Sequence, residues 1–303
     1  MKKIIFAMAM LYSVQSFSQD YMPLWTADKM PNSRGIILPD SISNERIYRV
    51  GRPGMWIFLT SKQENKGGAV VIFPGGGYHH EAYNISGLQL AKWFNTFGIS
   101  AFVLKYRLPH SIDLIDRSIA PLQDAQRALR IIRANADAWG INPDKIGVLG
   151  TSSGGHLAST IGTHLEDVAA VGDSLDRYSY MPNFMILVSP VIDFGMKGYG
   201  FHMGLLGEGA SEKMIAKYSN QLNVTSETPP AFIVHAQNDN VVPVYHSVIF
   251  YKALLDSGVS ASLHIFPHGA HKIALRDNPG STALWTELCE QWMGEMGFID
   301  IKH

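Results

Sequence analysis

The sequence predicts an α/β fold in which a mostly parallel, twisted sheet carries helices on both faces and a small cap insertion interrupts the pattern. Three observations lead there. Apolar runs of strand length alternate with segments of helical period. The runs are apolar on both faces, as strands sandwiched between two helical layers must be. One strand-to-helix junction reads Gly150-Thr151-Ser152-Ser153-Gly154, whose glycines leave room for a very tight turn that holds a serine hydroxyl in the open.

The elements follow in chain order. Residues 19–45 look irregular, with Pro23, Pro31, Gly35 and Pro39 among scattered Ser and Asn, and are expected to wrap the surface. Strand material occurs within 50–60, around the turn Arg52-Pro53-Gly54. The run 69–73 is a buried strand, followed by a helix over 88–97 closed by Gly98 and a strand over 101–104. The clearest helix covers 121–139. There Leu122, Ala125, Leu129, Ile132, Ala136 and Trp139 recur at steps of three and four, and Gly140 stops it. Strands over 146–149, 184–188, 231–234 and 263–266 continue the alternation, and a helix over 284–292 closes it. Residues 194–223 break it with six glycines from Gly195 to Gly209, and are expected to form a cap or lid.

Composition narrows the function classes. The chain has 303 residues and a net charge of −1, with no basic run and no acidic tail, which argues against nucleic acid and against electrostatic docking on a membrane. Lys2 and Lys3 precede an apolar stretch over 4–11, and Ser16-Phe17-Ser18 supplies small residues after it. This reads as a secretory signal peptide over 1–18, cleaved near Ser18 and Gln19, leaving one domain over 19–303 in the periplasm or outside the cell. The apolar stretch is too short to span a bilayer, so no membrane insertion is expected after cleavage. A lone cysteine, Cys289, forbids an intramolecular disulfide and reads as a small buried hydrophobe in a helix.

In an open parallel sheet, ligands bind beyond the carboxyl ends of the strands. Four chemical elements fall at such ends: Gly75-Gly76-Gly77, Ser152, Asp239 and His271. A serine hydroxyl is a poor nucleophile at neutral pH and needs a base, which His271 supplies in this reading. Asp239 would orient the imidazole. The N–H groups of Gly76, Gly77 and Ser153 are candidates for holding a developing oxyanion, and Tyr78 and His79 beside the glycine run for touching substrate. Asp193 competes with Asp239, His268 competes with His271, and an ordinary helix N-cap competes as the role of Ser152. His235 and His264 lie inside strand patterns and read as structural. The pair His79-His80 invites a metal reading. Neighbours on an extended segment point to opposite faces, however, and no carboxylate or cysteine set accompanies them, so neither metal nor cofactor is predicted. No Lys-Ser/Thr pair follows the glycines, which excludes a phosphate loop.

Several segments together carry a family resemblance. They are Phe73-Pro74-Gly75-Gly76-Gly77-Tyr78, Tyr106-Arg107-Leu108, Asp124-Ala125-Gln126-Arg127-Ala128 with Arg133, and Asn142-Pro143-Asp144-Lys145-Ile146-Gly147-Val148. To these add the elbow from Gly150 through Ala158, Leu205-Leu206-Gly207 and Pro229-Pro230-Ala231-Phe232. Over roughly 67–292 the chain resembles the α/β-hydrolases related to bacterial acetyl-xylan esterases and hormone-sensitive-lipase-like carboxylesterases. Two positions depart from the pattern. Pro74 stands where the lipase-type loop often begins with His, and Lys272-Ile273 follows His271 where relatives usually have Gly-Phe.

The resemblance implies an α/β-hydrolase fold with the chain order Ser152, Asp239, His271. It also implies cofactor-free hydrolysis of small acyl esters, acetyl on a carbohydrate such as xylan, through an acyl-enzyme, so that an acetylated polysaccharide or oligosaccharide is the expected partner. A feruloyl or other carboxylesterase is the near alternative. A prolyl-oligopeptidase-like serine peptidase is another, although about fifty residues before the core leave no space for its usual propeller. A catalytically inactive hydrolase fold that binds carbohydrate is the alternative outside enzymes.

Overall fold

Runs of Val, Ile, Leu and Phe build the centre of an eight-stranded sheet, because strands with helices on both sides bury both faces and favour apolar side chains. The structure, a computed structural model, describes residues 20–26 and 28–299; the expected leader and its cleavage point lie outside them. In chain order the strands are β1 Tyr21–Pro23, β2 Ser41–Ser43, β3 Arg46–Arg49, β4 Gly54–Phe58, β5 Ala69–Phe73, β6 Ser100–Lys105, β7 Ile146–Thr151, β8 Met185–Val188, β9 Ala231–Ala236 and β10 Ala261–Phe266. Across the sheet they run β1-β4-β6-β5-β7-β8-β9-β10, and β2 pairs with β3 apart from it. The contacts β1–β4 and β4–β6 are antiparallel; all the others in the sheet are parallel. From β5 the chain winds outward to β6 and then returns past β5 to β7, so the strand order reverses between β5 and β7. A crevice opens at such a reversal, beyond the strand ends.

The helices are α1 Gln89–Thr96, α2 Ala120–Ala134, α3 Ala136–Trp139, α4 Ser153–Thr163, α5 Met203–Leu206, α6 Glu212–Lys217, α7 Tyr245–Asp256 and α8 Trp285–Glu295. Alternate side chains of β5 feed two cores. Ala69, Val71 and Phe73 pack with residues of α2, α4 and α7, whereas Val70 and Ile72 pack with residues of α1 and α8. Helix α4 is buried along its whole length, which suits its small residues Gly154, Gly155 and Ala158.

The structure departs from the sequence reading in four places. The single helix expected over 121–139 is two, because Asn135 (φ −106°, ψ 8°) turns its side-chain amide onto the Ile131 carbonyl at 2.8 Å and interrupts the ladder. The supposedly irregular 19–45 region contributes β1, an edge strand in which Pro23 is tolerated. Another hairpin, β2–β3, turns through Asn44 and Glu45, both at positive φ (48° and 57°), as a tight two-residue turn requires. Strand β10 at the other edge is only partly buried, so it is not apolar on both faces.

Candidate active site

Ser152 occupies the turn between β7 and α4 at φ 56°, ψ −119°, a conformation few side-chain-bearing residues adopt. The flanking glycines are sterically required. A Cβ on Gly150 would lie 2.0 Å from the Gly154 carbonyl oxygen, and one on Gly154 would lie 2.0 Å from that of Phe73. The Ser152 N–H donates to Val188 O (3.0 Å), and its carbonyl accepts from His156 and Val191 (3.1 Å each), so the backbone is tied on both sides.

His271 comes from the loop after β10. Its Nε2 lies 2.9 Å from Ser152 Oγ and its Nδ1 lies 2.7 Å from Asp239 Oδ2. The carboxylate keeps the ring proton on Nδ1 and leaves the Nε2 lone pair facing the hydroxyl. The loops carrying these two residues are tied to each other, since Ala270 N–H donates to Asn238 Oδ1 at 2.8 Å. The Asp239 side chain is fully buried. Burial disfavours its charge. The hydrogen bonds from His235, His271 and the Val242 N–H outweigh that penalty and hold the carboxyl well below the usual carboxylate range. Its Oδ1 accepts from the N–H groups of Val241 and Val242 at 2.9 Å each.

His235 is in the heart of this arrangement. Its Nε2 faces Asp239 Oδ2 (3.2 Å) and Val242 O (2.9 Å), both acceptors, so that nitrogen carries the proton. Nδ1 then accepts from Ser247 Oγ at 2.7 Å. A histidine four residues before an aspartate at the end of a strand was the available sequence signal.

The competing residues lie elsewhere. Asp193, just before the 194–223 segment, accepts through Oδ1 from Gly195 N–H (2.7 Å) and Ser219 Oγ (3.1 Å) within it. His268 is exposed, and its carbonyl takes the Thr282 hydroxyl. His264 bonds to Ser262 Oγ at 2.9 Å.

The glycine loop runs through three positive φ values, Gly76 (141°), Gly77 (64°) and Tyr78 (63°). A Cβ on Gly76 would meet the His80 carbonyl oxygen at 2.1 Å. The Tyr106 hydroxyl holds the loop from below by donating to Pro74 O at 2.8 Å. Among the described residues the N–H groups of Gly76, Gly77 and Ser153 have no hydrogen-bond acceptor.

Tyr78 has a structural task beside the cavity. It borders the cavity but is 2% exposed, and its hydroxyl donates to His156 Nδ1 at 2.9 Å, so its side-chain polar group braces the loop. His156 completes the brace: its Nε2–H donates to Tyr218 O (2.8 Å) and its ring stacks on Phe194 at 4.0 Å. Burial pushes His156 down to about 3, keeping it neutral. One turn along α4 from Ser152, it was findable only as an inward-facing position. His79 is exposed and lines the cavity, as does Arg46 of β3, which the sequence reading passed over.

That cavity measures about 690 Å³ and contains Ser152, His271, Gly76 and Gly77 on its wall. Residues of the insertion, Tyr199, Phe201 and Met203 among them, form another part of the lining.

A mostly parallel sheet with this strand order, helices on both faces and a serine at a strained strand-to-helix turn defines an α/β-hydrolase. The chain belongs to the BD-FAE family, which it matches over residues 55–254. It is 39% identical over 227 residues to an acetylxylan esterase of Xylanibacter ruminicola, covering 73% of this chain and 44% of that protein. It is 29% identical over 227 residues to endo-1,4-beta-xylanase B of Butyrivibrio fibrisolvens, covering 75% of this chain and 35% of that one. The chain thus spans less than half the length of these curated relatives. An acetyl ester-xyloside bifunctional hydrolase of Caldicellulosiruptor lactoaceticus superposes with a TM-score of 0.78 at 35% identity, over 93% of this chain and 97% of that one.

Proposed function

We propose that this domain is a serine esterase that removes small acyl groups, acetyl above all, from acetylated xylan or its oligosaccharides. The observation that carries the reading is His271 within hydrogen-bond reach of both Ser152 and Asp239, beside three backbone N–H groups that have no acceptor among the described residues. The names of the relatives, an acetylxylan esterase and an acetyl ester-xyloside hydrolase, favour acetyl on a xylan-type sugar.

In this reading Ser152 Oγ attacks the ester carbonyl carbon while His271 Nε2 takes its proton. Asp239 stabilises the imidazolium that results. The carbonyl oxygen becomes an oxyanion and is held by N–H groups of Gly76, Gly77 and Ser153. Losing one such donor costs about 2.7–4 kcal/mol of barrier in acyl-transfer enzymes. The intermediate collapses, His271 returns the proton to the sugar oxygen, and the deacylated alcohol leaves an acyl-serine. Water deprotonated by His271 then attacks the acyl-serine and releases acetate.

Ser152→Ala tests the mechanism. Its activity on p-nitrophenyl acetate is expected to drop to background, and an organophosphate is expected to label Ser152 of the wild type. Retained activity, or no label, rejects the triad. Acetate release across a panel of acetylated polysaccharides tests the substrate, with feruloylated arabinoxylan and aminoacyl peptides as the comparison. We further propose that residues 1–18 direct export; an N-terminus at Gln19 on protein recovered from the periplasm or medium is the expected result, and an intact Met1 there rejects it.

A further inference from the structure

The cavity contains more recognition surface than an acetyl group can use. Tyr199 lies on the 194–223 insertion, with Gly198 and Gly200 on either side of it at φ 89° and 62°. The residue is 49% exposed and lines the cavity that holds Ser152. One ring face is backed: Phe201 stacks on it with centroids 5.1 Å apart and planes 6° from parallel. Phe201 in turn meets the ring of His246 edge to face at 4.8 Å.

His246 anchors this ladder to the body of the protein. It is fully buried in the first turn of α7. Its Nδ1 accepts the N–H groups of both Ile192 and Asp193 at 3.0 Å. The ring proton is therefore on Nε2, which has no hydrogen-bond partner among the described residues, and the ring lies against that of Phe201 at an interplanar angle of 84°. Two stacked rings on a buried support make a stiff platform. Elsewhere on the same lining, Arg46 and His79 present N–H donors, and among the described residues no aspartate or glutamate borders the cavity.

A pyranose ring matches this pair of surfaces. One of its faces is a sheet of C–H groups that packs on an aromatic ring, and its rim of hydroxyls accepts hydrogen bonds. We infer that Tyr199, backed by Phe201, is a sugar-stacking subsite that holds a pyranose unit on the alcohol side of the scissile ester. The inference rests on the carbohydrate-ester reading above and adds the residue that selects for it.

The test compares kcat/KM for an acetylated xylo-oligosaccharide with kcat/KM for p-nitrophenyl acetate, whose alcohol side carries no sugar. In Tyr199→Ala the ratio of the two is expected to fall roughly three- to tenfold, with the change in KM for the oligosaccharide. Tyr199→Phe, which keeps the ring face, is expected to hold the wild-type ratio. A ratio unchanged in Tyr199→Ala, whether both activities fall together or neither does, overturns the inference. So does an equal loss in Tyr199→Phe, which would assign the effect to the hydroxyl. Selective loss on feruloyl esters instead would move the platform to the acyl side and also overturn it. A wild type that cleaves p-nitrophenyl acetate but releases nothing from any acetylated carbohydrate fails differently: it rejects the carbohydrate reading itself, before any variant is compared.

Discussion

His235 and His271 share one oxygen of Asp239: Oδ2 lies 3.2 Å from Nε2 of the first and 2.7 Å from Nδ1 of the second. Each histidine has a serine on its far nitrogen, Ser247 for His235 and Ser152 for His271. The carboxylate therefore stands between two Ser–His pairs, one sealed in the core and the other on the cavity wall. With the two backbone N–H groups on Oδ1, four N–H donors of the protein meet its charge.

Replacing His235 should expose that dependence. His235→Phe removes one of the carboxylate's donors and strands the Ser247 hydroxyl and the Val242 carbonyl in the core. The expected loss is about 1–3 kcal/mol of stability, read as a lower urea midpoint, with kcat reduced roughly tenfold as Asp239 loosens. His235→Gln, whose amide can still donate, is expected to keep more of both.

The two aspartates can be told apart by the same chemical change. Asp239→Asn alters the group that orients His271 and should lower kcat on the order of 10⁴-fold. Asp193 serves as an acceptor for Gly195 N–H and Ser219 Oγ, and the Asn carbonyl can do the same. Asp193→Asn is expected to lower kcat less than tenfold. Steady-state kinetics on p-nitrophenyl acetate checks both.

Gly204 of α5 packs directly on the glycine loop. A Cβ there would lie 2.0 Å from the Gly77 carbonyl oxygen and 3.2 Å from Tyr78 Cβ. Gly204→Ala must therefore push the insertion and the loop apart. The expected result is a kcat lower by roughly ten- to a hundredfold, as misaimed oxyanion donors would give, together with a lowered thermal midpoint from the overpacking. Normal kcat in this variant would show that the loop moves without consequence.

Acid should destabilise the fold before it protonates the carboxylate. Burial depresses His246 to about 4 and His156 to about 3, whereas in the unfolded chain both titrate near 6.5. Between those values the unfolded chain binds more protons, so stability falls as pH falls through that window. Each ring contributes about 1 kcal/mol per pH unit there. Asp239 adds its share only below about 4, where the unfolded carboxylate begins to take a proton that the folded one refuses. Urea midpoints from pH 7 to pH 4 are expected to decline steadily; a flat series contradicts the neutral burial of these rings.

Much of this architecture is local and was legible in the residues. A strand buried on both faces is mostly apolar, so β5, β6, β7, β8 and β9 announce themselves. The elbow is equally local, since the clashes that demand Gly150 and Gly154 arise within a few residues and one neighbouring strand. The β2–β3 hairpin was missed because Asn44-Glu45 is a weak turn signal and its short strands have little apolar pattern. The break at Asn135 was missed because α2 and α3 keep one hydrophobic period across it.

By itself, then, the sequence determined the layered α/β architecture, the strand ends on which chemistry can sit, and the residue types placed there. Tertiary structure alone decided which side chains meet. Ser152 and His271 are 119 positions apart. The arrival of His271 rather than His268, on Asp239 rather than Asp193, depends on how loops from separate strands hydrogen-bond across the sheet's edge. The second histidine on Asp239 and the conversion of Tyr78 into a buried strut have the same origin. Hydrogen bonds act over about 3 Å in space regardless of distance along the chain, and spacing in sequence carries no record of which loops that distance will join.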